Sequence, residues 1–98
     1  MNEGVPHVVL LTAALFIPAS HSLKTKRRVL KSLKDRVRAR FNVSVAEVGF
    51  QDKWQRAALG FSAVGSEKTS LDRLMQKILS LMEQIDEVQI IDQQWAFL

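Results

Sequence analysis

The chain has 98 residues, no cysteine and a formal net charge of +4. This length suits one domain with a modest core, and the hydrophobic fraction of 47% is that of a globular rather than a disordered chain. The lack of cysteine excludes disulfides, thiolate zinc sites and cysteine nucleophiles. The apolar run at residues 8–17 is too short to cross a bilayer and follows no basic segment, so we expect a cytoplasmic protein without membrane attachment.

The first third of the chain predicts a strand followed by a helix. Residues 1–6 contain a glycine and a proline and are expected to form a loose lead-in. His7–Ile17 is almost continuously apolar, which is typical of a central strand, and a proline ends it. Ser20 or Ser22 is then suited to cap a helix that runs to about Arg40.

The middle of the chain predicts two strands joined by a turn. Asn42–Val48 is rich in β-branched residues, Gly49–Lys53 has turn composition, and a third strand then runs through Val64. Alternation along this third strand predicts one set of residues that faces the helices: Ala57, Leu59, Phe61 and Ala63.

A second helix and a last strand complete the pattern. Thr69 followed by Asp72 resembles a capping box, which predicts a helix from there to about Ile85 with apolar residues at helical spacing. Val88–Phe97 predicts a strand whose alternation breaks at Ile90–Ile91, which indicates a bulge or apolar residues on both faces.

The order β-α-β-β-α-β predicts an α+β, ferredoxin-like fold. Both helices then cover one face of a four-stranded antiparallel sheet. No repeat or linker interrupts the chain, so residues 1–98 are expected to form a single domain.

Positive charge is concentrated in the first helix. Residues 24–40 hold nine of the fourteen Lys and Arg residues but only one of the ten acids, Asp35. At about 100° per residue from Leu23, the core stripe lies between about 240° and 360° and contains Val29, Leu30, Leu33, Val37 and Phe41. A flank between about 20° and 140° contains the basic residues Lys24, Arg27, Arg28, Lys31, Lys34 and Arg38.

Two features indicate that this flank is more than a solvated helix face. Neighbours such as Arg27 and Lys31 are like-charged at helical spacing, which costs stability, whereas opposite charges would add it. Cations in the first turns also oppose the helix dipole. We therefore predict a surface for anionic RNA or the ribosome, formed by Lys24, Lys26, Arg27, Arg28, Lys31, Lys34 and Arg38.

Other uses of the fold fit less well. The third strand has one aromatic of an RNA-recognition motif, Phe61, but Ala63 stands where a second belongs. No nucleophile with a base and no metal-ligand spacing is identifiable, so we predict a protein that is not an enzyme and uses no cofactor. His21 reads most simply as a helix-entry residue, and the alternative is a phosphate contact at the helix N-terminus.

A second unusual cluster lies at the connection between the second and third strands. Its candidate interface residues are Asp52, Trp54, Gln55 and Arg56. Trp54 either anchors a partner or caps the core, and Asp52 either pairs with Arg56 or closes the turn. Apolar residues on the uncovered face of the sheet would favour a homodimer, which makes a protein-interaction module without RNA binding the alternative function.

The segments "HSLKTKRRVLKSL", "RFNVSVAEV" and "QDKWQRAALG" resemble the YlxP-like family, also called domain of unknown function 503. The resemblance extends from about Val8 to Leu98 and implies the ferredoxin-like fold and a bacterial, cytoplasmic protein. Genes of relatives tend to lie beside those for transcription-elongation, translation-initiation and ribosome-maturation factors. This neighbourhood implies a connection to RNA or the ribosome, whereas the family lends no activity to the chain.

Overall fold

The computed structural model describes residues 4–98, so residues 1–3 of the predicted lead-in lie outside the described part. Its elements are β1 His7–Phe16, α1 Leu23–Arg40, β2 Ser44–Gly49, β3 Arg56–Gly65, α2 Lys68–Glu83 and β4 Gln89–Phe97. The four strands form one sheet in the order β2-β3-β1-β4, and every pair is antiparallel. The predicted α+β, ferredoxin-like fold is confirmed.

The core lies between one face of the sheet and the two helices. Alternate residues of β1 and β3 are buried on this face, as the alternation of β3 predicted: Val9, Leu11, Ala13, Leu15, Ala57, Leu59, Phe61 and Ala63. α1 contributes Val29, Leu30, Leu33 and Val37, and α2 contributes Leu71, Met75, Ile78, Leu79, Leu81 and Met82. Among residues 4–98, no helix covers the opposite face of the sheet, here called the open face.

The two helices begin in different ways. The Ser22 hydroxyl accepts a hydrogen bond from the Thr25 backbone N–H at 3.0 Å, so Ser22 caps α1. The predicted capping box of α2 is wrong, because Glu67 occupies the N-cap and makes no side-chain cap bond. Asp72 instead accepts a hydrogen bond from Trp95 Nε1 at 2.9 Å, which joins α2 to β4.

Two bulges interrupt the sheet. In β4, Ala14 pairs with Asp92 and Leu15 with Ile90, so Ile91 is the extra residue and the predicted bulge is confirmed. A second bulge leaves Val48 unpaired in β2, which the sequence did not predict. Val48 lies over Gly60, where an added Cβ would stand 3.3 Å from Val48 Cγ1. The glycine therefore leaves room for this valine on the open face.

The cap of α1 can be tested with Ser22→Ala. Loss of the bond to the Thr25 N–H is expected to lower the free energy of unfolding by about 1 kcal/mol, measured by urea denaturation. The control is Ser32→Ala, an exposed mid-helix site where alanine is the better helix former and no loss is expected. Equal destabilisation by both variants would contradict the capping role.

Candidate functional site

The two motifs of the sequence meet at one end of the sheet. The Ile17 N–H donates to the Gln55 carbonyl at 2.8 Å, and Gln55 Nε2 donates to the Pro18 carbonyl at 3.0 Å. The loop that leads into α1 therefore lies against the chain just before β3. This contact brings the basic start of α1 beside the predicted cluster of residues 52–56.

Lys26 holds this junction together from inside the protein. Its side chain is 1% exposed, and its Nζ donates to the carbonyl oxygens of Phe50 at 2.6 Å and Lys53 at 2.8 Å. Glu47 Oε2 lies 3.0 Å from the same nitrogen and makes an ion pair outside hydrogen-bond geometry. The ammonium group has three protons to donate, and three oxygen atoms surround it. Burial of its charge is therefore compensated locally.

This arrangement corrects the prediction that Lys26 contacts nucleic acid. A fully enclosed ammonium cannot reach a phosphate, so Lys26 belongs to the structural part of the helix. A signal for this was present in the sequence, because Lys26 falls at about 300° on the wheel, inside the core stripe. Val45 and Glu47 are alternate residues of β2, so both side chains face the core. Glu47 is therefore the acid available to a lysine that is buried there.

The connection between β2 and β3 is a tight and strained loop. Phe50 has a φ of 58°, a left-handed conformation that is rare for a bulky side chain. The Lys53 N–H donates to the Phe50 carbonyl at 3.0 Å and closes a turn around Gln51 and Asp52. Of the two roles predicted for Asp52, the structure has the turn position. None of the ion pairs among residues 4–98 joins it to Arg56.

The side chains around this loop form an aromatic and cationic group. The Arg56 guanidinium carbon stands 4.7 Å from the centre of the Phe50 ring, within the range of a cation–π contact. The Nε of Arg56 is buried and has no hydrogen-bond partner among the described residues. Trp54 precedes β3 instead of lying within it, and 55% of its surface is exposed. Its exposure argues against the predicted role as a core cap.

The remaining cations of the predicted surface lie outside, along α1. We call them the basic flank: Lys24, Arg27, Arg28, Lys31, Lys34 and Arg38. Lys34 is half-buried and the other five are exposed. Arg28 Nη1 lies 3.8 Å from Glu87 Oε2, and both side chains are exposed. Arg38 donates to the Val45 carbonyl of β2 at 3.0 Å, so this part of the flank lies beside the β2 edge of the sheet.

Asp35 is the single acid within this flank. Its carboxylate accepts a 2.8 Å hydrogen bond from Lys31, and this bond is the main cause that keeps the pKa of Asp35 below its ordinary value. The charges of Lys31, Arg38 and Lys34 act in the same direction. Since one carboxylate faces six cations, the flank keeps a clear excess of positive charge.

His21 lies at the entrance to α1, beside the basic flank. Its side chain is exposed, and the cap bond of the helix comes from the next residue, Ser22. The predicted phosphate contact of His21 stays a prediction.

A further group of cations escaped the sequence reasoning. Between the C-terminal end of α1 and the N-terminal half of α2 lies a cleft of about 440 Å³, here called the interhelical cleft, lined by Arg40, Phe41, Ser70, Arg73, Leu74 and Lys77. No carboxylate lines it. Its cations come from two helices far apart in sequence, so only their packing brings them together.

The role of Lys26 can be tested with Lys26→Met, which keeps the length of the side chain but removes its charge. Glu47 then loses its ion partner and the carbonyls of Phe50 and Lys53 each lose the bond from Lys26, so the free energy of unfolding is expected to fall by about 3 kcal/mol in urea denaturation. Lys24→Met is the matched control, because Lys24 is exposed and its loss should change stability by less than about 0.5 kcal/mol. Equal stability of the two variants would contradict a structural role for Lys26.

The site contains no ready-made metal centre. Across residues 4–98, no group of three His, Asp or Glu side chains is placed to hold a metal ion. Within the same residues, neither helix has the length and the hydropathy that a membrane-spanning helix needs.

Several solved structures share this architecture. The designed protein Foldit4 superposes with a TM-score of 0.56 at 16% identity, covering 92% of this chain and 96% of that one. A structural-genomics protein, YJCS, gives 0.52 at 10% identity over 91% and 96% of the two chains. A C-terminal segment of the alpha subunit of aIF2 from Pyrococcus abyssi gives 0.51 at 15% identity over 93% and 49%. At these identities the likeness shows the fold alone.

The sequence itself has nearer relatives. It is 41% identical over 68 residues to the uncharacterized protein YlxP of Bacillus subtilis strain 168, an alignment that covers 69% of this chain and 74% of that protein. Residues 8–95 match the family described as protein of unknown function, DUF503. This match includes the basic helix, the buried lysine and the loop that the lysine holds. The resemblance found in the three sequence segments is confirmed, and the chain belongs to the DUF503 family.

Proposed function

We propose that this protein is a non-enzymatic RNA-binding protein, associated with the ribosome or its RNA, that holds phosphate groups on the basic flank of α1. The observation that carries the proposal is the excess of exposed positive charge on this flank, where one acid stands among six cations. The phosphates of RNA match such a surface in charge, and contacts of this kind position a nucleic acid without reading its sequence.

The energetics of the helix support an anionic partner. Arg27 and Lys31 are like-charged at i,i+4, and Lys31 and Lys34 at i,i+3, which costs a few tenths of a kcal/mol per pair in an isolated helix. The first turn of α1 contains no acid, although that end of a helix favours negative charge. A row of bound phosphates would relieve both costs at once, whereas a role in stability alone would favour alternating signs.

Enclosure of Lys26 makes the proposal more specific. With this residue inside the core, the cations that remain run along the exposed side of the helix, where Arg38 bonds to β2 and Arg28 lies near Glu87. A surface of this shape fits a strand of phosphates that runs along the helix axis. It lies apart from the interhelical cleft, whose cations are on the other side of α1.

Charge reversal tests the basic flank. The variant Arg27→Glu, Lys31→Glu, Lys34→Glu is expected to lose RNA binding, because repulsion replaces attraction at three neighbouring positions. Binding is measured by fluorescence anisotropy with a labelled single-stranded RNA, and circular dichroism checks that the fold is kept. For about five neutralised phosphates, log affinity of the wild type should fall with log salt at a slope of about −3.5.

The control places the same charge change in the interhelical cleft, as Arg40→Glu, Arg73→Glu, Lys77→Glu. This variant is expected to keep most of the affinity and the same salt slope. Equal losses in both variants would mean that binding follows net charge, and the assignment to the flank would fall. Unchanged affinity in the flank variant would contradict the proposed function.

As a second candidate function, we propose a homodimeric interaction module that works through the open face without nucleic acid. The observation that favours it is the apolar and nearly uncharged surface of that face. Leu10, Val48 and Val64 are 37%, 58% and 68% exposed, and the register places mostly small neutral residues between them: Thr12, Ala14, Ala46, Ala58, Gly60, Ser62 and Ala96. A second copy would cover this surface.

Sedimentation velocity separates the two candidates. If the open face is a dimer interface, the wild type sediments as a dimer at micromolar concentration and Val48→Asp sediments as a monomer, because a carboxylate would be buried without a partner. Val5→Asp is the control, since Val5 is similarly exposed at 51% but precedes the sheet. A wild type that stays monomeric at all concentrations would refute the second candidate.

A further inference from the structure

We propose that the exposed ring of Trp54 stacks on an unpaired nucleobase, so that the RNA held by the basic flank is single-stranded where it crosses the loop between β2 and β3. This inference rests on the proposed function and deepens it by naming the form of the RNA. It assigns to the loop a contact with bases, whereas the flank contacts only phosphates.

The loop between β2 and β3 is held in one conformation by a buried charge and has a strained backbone at one residue. Lys26 is almost completely enclosed, and two of its three oxygen partners are the loop carbonyls of Phe50 and Lys53. Phe50 also adopts a left-handed backbone that a bulky side chain rarely occupies. A connection whose single task is to join two strands does not need a buried ammonium group beneath it. Such strain is typical of segments whose exact shape serves binding.

The loop exposes aromatic rings beside positively charged side chains. Trp54 leaves 55% of its surface and Phe50 leaves 42% of its surface in solvent, next to the cations Lys53 and Arg56. An aromatic ring offers a face on which any base can stack, and nearby cations attract the backbone of the same nucleotide. Asp52 is the one acid in this segment. Rings and positive charge together match a flat, negatively charged ligand.

The loop also lies next to the N-terminal end of the basic flank. The carbonyl of Lys53, the residue before Trp54, is 2.8 Å from Lys26 Nζ, and Arg27 of the flank follows Lys26 directly. The backbone next to Trp54 therefore lies near the N-terminal end of the flank, and the proposal has a strand bound along α1 continue onto this ring. Bases within a duplex are stacked on each other and closed to a protein ring, whereas a single strand can turn one base outward.

The experiment compares Trp54→Ala and Trp54→Phe with the wild type on two probes, a labelled twelve-nucleotide oligo(U) and a twelve-base-pair RNA duplex. Trp54→Ala is expected to weaken oligo(U) binding between about five-fold and 100-fold, the range for loss of one base–aromatic stack. Its salt slope and its affinity for the duplex should stay unchanged, because no phosphate contact is lost. Trp54→Phe should keep most of the affinity because it retains a ring.

Two controls make the result specific to this ring. Val64→Ala shortens an exposed apolar side chain at the opposite end of β3 and should leave binding unchanged. Tryptophan emission should be quenched by oligo(U) in the wild type but not in Trp54→Ala. In that variant the remaining tryptophan, Trp95, is half-buried and donates to Asp72.

The outcomes distinguish a failure of base stacking on Trp54 from a failure of RNA binding by the basic flank. If the charge-reversed flank loses RNA but Trp54→Ala binds oligo(U) as the wild type does, phosphate binding stands and base stacking is overturned. If the wild type binds neither probe, both fall together. If Trp54→Ala changes the sedimentation of the RNA-free protein and not its RNA affinity, the ring packs against a second copy and the inference is overturned.

Discussion

The buried ammonium of Lys26 connects the parts of this protein that are distant in sequence. It projects from the first turn of α1 into the space below the loop between β2 and β3, where two backbone carbonyls and the Glu47 carboxylate surround it. Removal of such a charge from water is unfavourable by several kcal/mol unless its partners are in place. The position of the helix and the shape of the loop are therefore coupled, because neither can shift without exposing the other's unsatisfied groups.

This coupling also explains how the charge of α1 is divided. The helix has a high density of Lys and Arg, yet its inward stripe must be compatible with the core. Lys26 meets this condition by finding oxygen partners, and the six cations of the basic flank remain on the solvent side of the helix. These six are held on one rigid helix, where their fields add. A flexible basic tail would provide the same charge without this alignment.

The two candidate surfaces of the protein have different physical character. The basic flank is polar and gains little from contact with another copy, since like charges repel. The open face has few charges and several exposed apolar side chains, so it gains from burial and offers nothing to phosphates. Trp54 and Arg56 lie at the boundary between them, at the start of β3. Both surfaces can be occupied at once, because the sheet separates the open face from the helices.

The sequence alone was sufficient for the element order, the fold and the core stripes of both helices, and it marked Ile90–Ile91 as either a bulge or a stretch with apolar residues on both faces. These features follow from periodicity and turn chemistry, which depend on near neighbours in the chain. It also located the two candidate motifs and the residues of the basic flank. The start of α2 was predicted wrongly, because Asp72 bonds to a distant tryptophan instead of to its own helix end.

Only the tertiary structure decided which cations are available. Whether Lys26 reaches solvent depends on Glu47 and on two carbonyls from a loop more than twenty residues away, and local patterns carry no information on such contacts. The same holds for the interhelical cleft and for the strained backbone of Phe50. The sequence determined where the charges lie along the helix, whereas packing against the loop decided which one became structural, because a buried charge is tolerated only where distant groups converge on it.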